Sequence, residues 1–402
     1  MNLLKEGLEQ KAVIKTSLTR KITIDGHTQP YPVYKVKLDW LFYNDQNDRI
    51  ATWISQYKTQ NDGKTPDISN KEEYNDIIEN FIVESNPEAI KKTQSNIELV
   101  DQREPGVVLA DGRIIDGNRR FTCLRRLSKK NDRFGYFETV ILDRNIESNA
   151  KQIKMLELSI QHGEESKVDY NPIDRLVGVY NDIITTKLLT VEEYAKSTNE
   201  SENDVKRRVE VANLMIEFLE FINAPKQFHI ARDLQLYYHI EELLKLIKKC
   251  KTDDEAEDIK NAVFVNILMK PDGDMKRFVR NIKTIVGTEY QDEFIEEQKE
   301  IAAEVIEALP KVGSVNTAVI RDSIRTNEEV SQKLENSMEK AVAKTKKTET
   351  KNRPIQLVEK ATVFLESIDT NIILKMNDSE LMRLQRQINK LEDVISELKE
   401  NL

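Results

Sequence analysis

Through the first 150 residues apolar positions come in short runs broken by turns, and from about residue 151 they recur every three or four. A period of two marks strands and one near 3.6 marks helices, so the pattern predicts a small mixed domain followed by helices. Residues 18–24 and 31–37 read as strands about Asp25-Gly26-His27-Thr28. Residues 39–57 read as a helix on the sheet, with Trp40 and Trp53 as core. The polar stretch 58–70 is a loop, and 71–83, apolar at 74, 77, 78, 81 and 82, is an amphipathic helix.

The densest signal is 106–127. Val107, Val108 and Leu109 favour a strand, Asp111-Gly112 supplies the positive φ of a tight turn, and Ile114-Ile115 return. After Asp116-Gly117, Phe121, Leu124 and Leu127 take helical spacing, which puts glycine at a strand-to-helix junction. Residues 139–142 read as one more strand.

Beyond it, 151–161 and 171–185 read as helices, the second opened by Asn171-Pro172. Residues 189–209 have a helix-turn-helix layout. Thr190 caps the first helix with Glu193 three residues on, Ala195 is small at the crossing, Asn199 suits a left-handed turn, and Val205 and Val209 face inward. The second helix would present Ser201, Asn203, Lys206, Arg207 and Arg208 to DNA, lysine and arginines to phosphates and polar residues to base edges. At the tail, Leu381, Leu384, Ile388, Leu391, Ile395, Leu398 and Leu402 alternate steps of three and four, a coiled-coil seam. It pairs with a second copy or folds back on a helix over 357–374.

The expected organisation is therefore α+β: an extension at 1–30, a mixed α/β domain at 31–150, helix-turn-helix at 151–225, helices at 226–310, a polar basic linker at 311–353 and a coiled coil or hairpin at 354–402. Composition supports the helical weighting, with 33% charged residues against 39% hydrophobic and only 12 glycines in 402 residues. A net charge of -9 rules out a basic coat, so contact with DNA must be local. Cys123 and Cys250 lack metal-ligand or disulfide spacing, and no apolar run approaches the roughly 20 residues of a membrane span. A cytoplasmic protein without a membrane partner is expected.

The chemistry concentrates at Gly117-Asn118-Arg119-Arg120. A helix N-terminus carries unpaired N–H groups and positive partial charge, so a glycine followed by two guanidiniums suits a phosphate; solvated or salt-bridged surface arginines are the competing reading. Gly112 and Gly117 have P-loop spacing, but Asn118-Arg119 stands where that motif needs Lys-Ser/Thr.

This tetrapeptide resembles the Gly-Glu-Arg-Arg box of the ParB branch of the ParB/sulfiredoxin superfamily, and further blocks come in that family's order. Asn44 to Arg49 resembles its asparagine-rich segment, Glu104-Pro105 the lead into the hairpin, Gln161 and Asn171-Pro172-Ile173-Asp174 the region after the domain, and 190–215 its helix-turn-helix. The resemblance covers roughly 31–215. It implies CTP with Mg²⁺ as ligand, its phosphates on Gly117, Asn118, Arg119 and Arg120 with Arg49 and Gln161 lining the site, and a homodimer through 381–402 closing on DNA. Where the family's Glu-Asn-x-Gln-Arg box should stand, 158–162 reads Leu-Ser-Ile-Gln-His and only Gln161 matches, which argues against CTP hydrolysis.

Three functions are in play. The first is a ParB-like DNA-binding protein of plasmid or phage partition, transcription or replication control. The second is an enzyme of the same superfamily, a phosphotransferase or nuclease with Asp116 as its carboxylate; sulfiredoxin chemistry is disfavoured because Asn118 holds the position that needs cysteine. The third is a non-catalytic defence or interaction adaptor.

Overall fold

The computed structural model describes residues 2–24, 26–144, 146–162, 171–270 and 275–401. Its strands are β1 (Val13–Ile24), β2 (His27–Lys37), β3 (Gly106–Leu109), β4 (Ile114–Asp116) and β5 (Tyr136–Leu142). The helices of the mixed domain are α1 (Ala51–Gln60), α2 (Lys71–Ser85), α3 (Pro87–Val100), α4 (Asn118–Ser128) and α5 (Ile146–His162). All five strands form one sheet in the order β1-β2-β5-β3-β4, antiparallel except for β3 beside β5.

Both faces of this sheet are covered, which explains why β3 is buried at every residue. Val108, Ile114, Phe137 and Ile141 pack in one core with Tyr74 and Ile78 of α2, Ile90 and Ile97 of α3, and Phe121, Leu124 and Leu127 of α4. The alternate residues, Val107, Leu109, Ile115, Val140 and Leu142, pack with Ile153, Leu156 and Ile160 of α5. Alternation along each strand sets which core a residue joins.

Several boundaries differ from expectation. The first 30 residues are not an extension, because β1 starts at Val13 and belongs to the sheet. Residues 39–57 are not one helix: the turn-forming run Asn44 to Asn47 interrupts them, Asn47 caps a single 3-10 turn at Asp48–Ile50, and α1 begins only afterwards. Trp53 does pack, stacked on Phe81 with ring centroids 6.5 Å apart and the Arg232 guanidinium 4.0 Å over its ring. The Asp25 end of the first hairpin's turn lies outside the described residues.

The rest of the chain is helical among the described residues: α6 (Pro172–Val179), α7 (Val191–Thr198), α8 (Glu202–Phe221), α9 (Phe228–Asp233), α10 (Leu236–Ile247), α11 (Asp253–Met269), α12 (Met275–Ile285), α13 (Gln291–Glu307), α14 (Thr317–Val319), α15 (Glu328–Glu366), α16 (Thr370–Ile373) and α17 (Asp378–Glu400). The chain divides into two compact units, 1–339 and 340–402, so the mixed domain, α7, α8 and the helices to 310 share one unit. The linker expected at 311–353 is helix from Glu328 onward, since its Glu, Lys and Ala residues are strong helix formers and no glycine interrupts them. In the second unit the helix expected over 357–374 breaks after Glu366, and the seam on α17 is solvent-facing, with Leu381, Ile388, Ile395 and Leu398 all 39–53% exposed. Leu402 lies outside the described residues.

Candidate functional site

The strand-to-helix junction forms as the residues dictate. Gly117 ends β4 and caps α4 with φ 102°, and a Cβ there would stand 2.8 Å from Cζ of Phe137. Gly106 meets the same ring, at 2.3 Å for its would-be Cβ. Two glycines thus admit one buried phenyl between β3 and the start of α4, and a side chain at either would push the junction apart.

The two arginines of the box have different fates. Arg120 turns back: Nη2 donates to Oδ2 of Asp116 at 3.0 Å and Nη1 to the Glu104 carbonyl at 2.7 Å. Arg20 reaches the same carboxylate oxygen at 2.9 Å and the Pro105 carbonyl at 2.7 Å. Asp116 therefore ties β4 to β1 and to the lead of β3, and Arg120 is largely committed to the backbone it braces.

Arg119 has no such role. It is half-buried, donates to no acceptor among the described residues and faces no carboxylate there. Burial, then the neighbouring charges of Arg49 and Arg120, depress its pKa. A desolvated cation among like charges is unfavourable in the protein alone, and an anion would relieve it. Arg49 comes from the 3-10 turn after β2, so the sheet and the Asn44–Asn47 turn bring the two guanidiniums together. Asn118 Oδ1 and Gln161 Oε1 are buried without hydrogen-bond partners, while Gln161 Nε2 donates to Glu157 Oε1 at 2.9 Å. Cys123, one turn along α4, is buried, and burial pushes its thiol up to about 12, which makes it an inert core residue.

Sequence reasoning missed the neighbours of Gln161. The family's box would put a glutamate at 158, where Leu158 is core; Glu157 is the buried carboxylate, one helical turn before Gln161. Beside it Lys154 donates to Asp48 Oδ1 at 2.7 Å and lies 3.4 Å from Asp182 and 3.9 Å from Glu157. Burial raises the pKa of both Glu157 and Asp182 against the pull of that lysine. The readable signal was the spacing 154, 157, 161, which puts all three on one face of α5.

The segment read as a helix-turn-helix holds two helices, α7 and α8, joined by a short turn. Thr190 and Glu193 form a capping box on α7, Asn199 is left-handed at φ 56°, and Ala195 and Val205 are buried in a core with Leu158, Val179 and Tyr194. The surface offered to DNA is another matter. Ser201 spends its hydroxyl capping α8, accepting from Asp204 N–H. Lys206 pairs with Glu202, Arg207 with Glu241 at 2.6 Å, and Arg208 with both oxygens of Glu200 at 2.8 Å each. Asn203 alone of the five is exposed without a side-chain partner.

No protein-family model and no curated protein matches the chain. Among solved structures it is similar to one described as the C222₁ form of a Pnob8-like ParB-N domain, at 12% identity, over 69% of this chain and 98% of that one, with a TM-score of 0.34. A likeness that loose says nothing of function, which has to be read from the residues themselves. In class the chain is α+β, a five-stranded sheet domain followed by helices, as the sequence resemblance implies. Among the described residues no helix is long and apolar enough to cross a membrane, and no group of three or more His, Cys, Asp or Glu could hold a metal ion.

Proposed function

We propose that this is a ParB-like DNA-binding protein regulated by a nucleoside triphosphate, CTP with Mg²⁺, acting in partition, transcription or replication control. The observation that carries it is Arg119: a half-buried guanidinium beside Arg49, at the N-terminus of α4, with no carboxylate among the described residues to balance it. Phosphate oxygens supply the charge and the acceptors that the site lacks. Gly117 and the N–H groups of Asn118 and Arg119 would take phosphate, with Arg120 held in place by Asp116. Mg²⁺ would arrive with the phosphates, where the unpartnered oxygens of Asn118 and Gln161 are neutral ligands for it. DNA would meet α8 through Asn203 and through arginines released from their carboxylates, and α17 would pair with a second copy along its exposed apolar seam.

The deciding experiment is calorimetric titration with CTP, ATP and GTP, each with Mg²⁺, on the native chain and on Arg119→Ala. Heat with CTP that disappears in the variant is expected. Silence with all three nucleotides would remove nucleotide regulation from the reading. The enzyme alternative gains nothing from Asp116, whose carboxylate is engaged by two guanidiniums.

A further inference from the structure

A second site lies beside the Asp48 turn. A cavity of about 980 Å³ opens between α1, α5, the turn after α6 and the segment before α9. That volume suits a small organic molecule. Lys58 and Lys226 at its lining are exposed, Asp45 is half-exposed, and its buried charged groups are Asp48, Lys154, Glu157 and Asp182. Three carboxylates thus face one ammonium, and the acceptors outnumber the donors.

One acceptor on this lining is unmet and a second is weakly held. Asp182 Oδ2 is buried and meets only a long 3.4 Å ion pair with Lys154, an ammonium already shared with Asp48 and Glu157. Gln227, only 5% exposed, has a buried Oε1 with no partner at all. Gln227 does not belong to the acidic cluster. It is held at the cavity because Ser55 of α1 accepts from Phe228 N–H at 2.9 Å and donates to the Lys226 carbonyl at 2.8 Å. An orphaned buried acceptor has given up its hydration for nothing, so Gln227 Oε1 beside a long, shared ion pair is costly unless something donates to it. Ile153, Val177 and Phe228 add apolar wall.

From this juxtaposition we infer that the cavity binds a small organic cation bearing N–H donors, a primary amine or a guanidinium. Its charged head meets Asp182 and Gln227, and its carbon chain lies against the apolar wall. The site adjoins the arginine box through Glu157, which lines this cavity and accepts from Gln161, but its chemistry is the opposite in sign.

The test is calorimetric titration of the full chain with spermidine, with agmatine, and with choline, which has the charge but no N–H. Saturable one-to-one binding of spermidine or agmatine, and none of choline, is expected. Gln227→Leu and Asp182→Asn should each weaken it at least tenfold, while Arg119→Ala should leave it intact. Gln227→Leu removes an acceptor that has no partner, so its melting temperature should hold or rise, which separates lost binding from lost fold. Absence of saturable binding by both amines, or binding that survives in both variants, overturns the inference.

Discussion

Arg119 stands in the first turn of α4 and Arg208 in the second turn of α8, and each is partly withdrawn from water. Arg208 has both guanidinium arms on Glu200, with Arg175 on the same carboxylate at 2.7 Å. Arg119 has only other arginines for charged company, apart from the buried thiol of Cys123. The difference teaches that motif shape and ligand readiness are separate properties. The α7–α8 segment has two helices about a turn, with Lys206, Arg207 and Arg208 already paired; the arginine box has an unbalanced charge at Arg119. DNA binding by α8 must break existing pairs, whereas an anion meeting Arg119 breaks no hydrogen bond or ion pair of that side chain.

The sharpest way to probe the contrast is the frame of the box. Gly117→Ala puts a side chain at φ 102° and 2.8 Å from Phe137, so it should destabilise the chain by about 2–4 kcal/mol in urea unfolding and abolish anion binding. Next come the arginines themselves. Arg208→Ala should cost about 1–3 kcal/mol, because it strips a hydrogen-bonded partner from Glu200, while Arg119→Ala should leave stability unchanged or slightly raised. Equal losses in the two variants would collapse the distinction.

The smallest effect is in pH. Burial pushes the Glu200 carboxyl up, but the hydrogen bonds and charge of Arg208, with Arg175, outweigh it and hold the pKa at about 2, below the usual 4.5. A depressed acid contributes stability above its unfolded pKa and loses it as pH falls toward the folded one. Acid titration should therefore show roughly 1 kcal/mol lost between about pH 4.5 and 2, after allowance for solvent screening, and Glu200→Gln should remove that slope. A gel-shift series on the same variant should show tighter DNA binding than the native chain, since Arg208 is then free for phosphate.

Local chemistry made much of this legible. Asp111-Gly112, Gly117 and Asn199 announce positive φ, and all three positions needing it adopt it. Thr190 and Glu193 announce a cap, and Asn86-Pro87 carries the equivalent signal for α3. What stayed hidden was pairing between distant segments. Nothing near Arg207 in sequence says that Glu241 will take it, and nothing near Asp48 says that Lys154 will reach it across 106 residues. The first strand was under-read because its Thr and Lys residues face solvent and dilute the apolar alternation.

The place of β5 in the sheet also bears on how the molecule comes into being. β1 and β2 can pair as soon as both exist, but β5 slots between β2 and β3, and its Phe137 is the ring on which Gly106 and Gly117 close. Loop closure over so long a span is slow and entropically costly. A nascent chain emerging from the ribosome therefore carries its arginine box unformed until residue 142 is free, and the site is among the last features of its domain to mature.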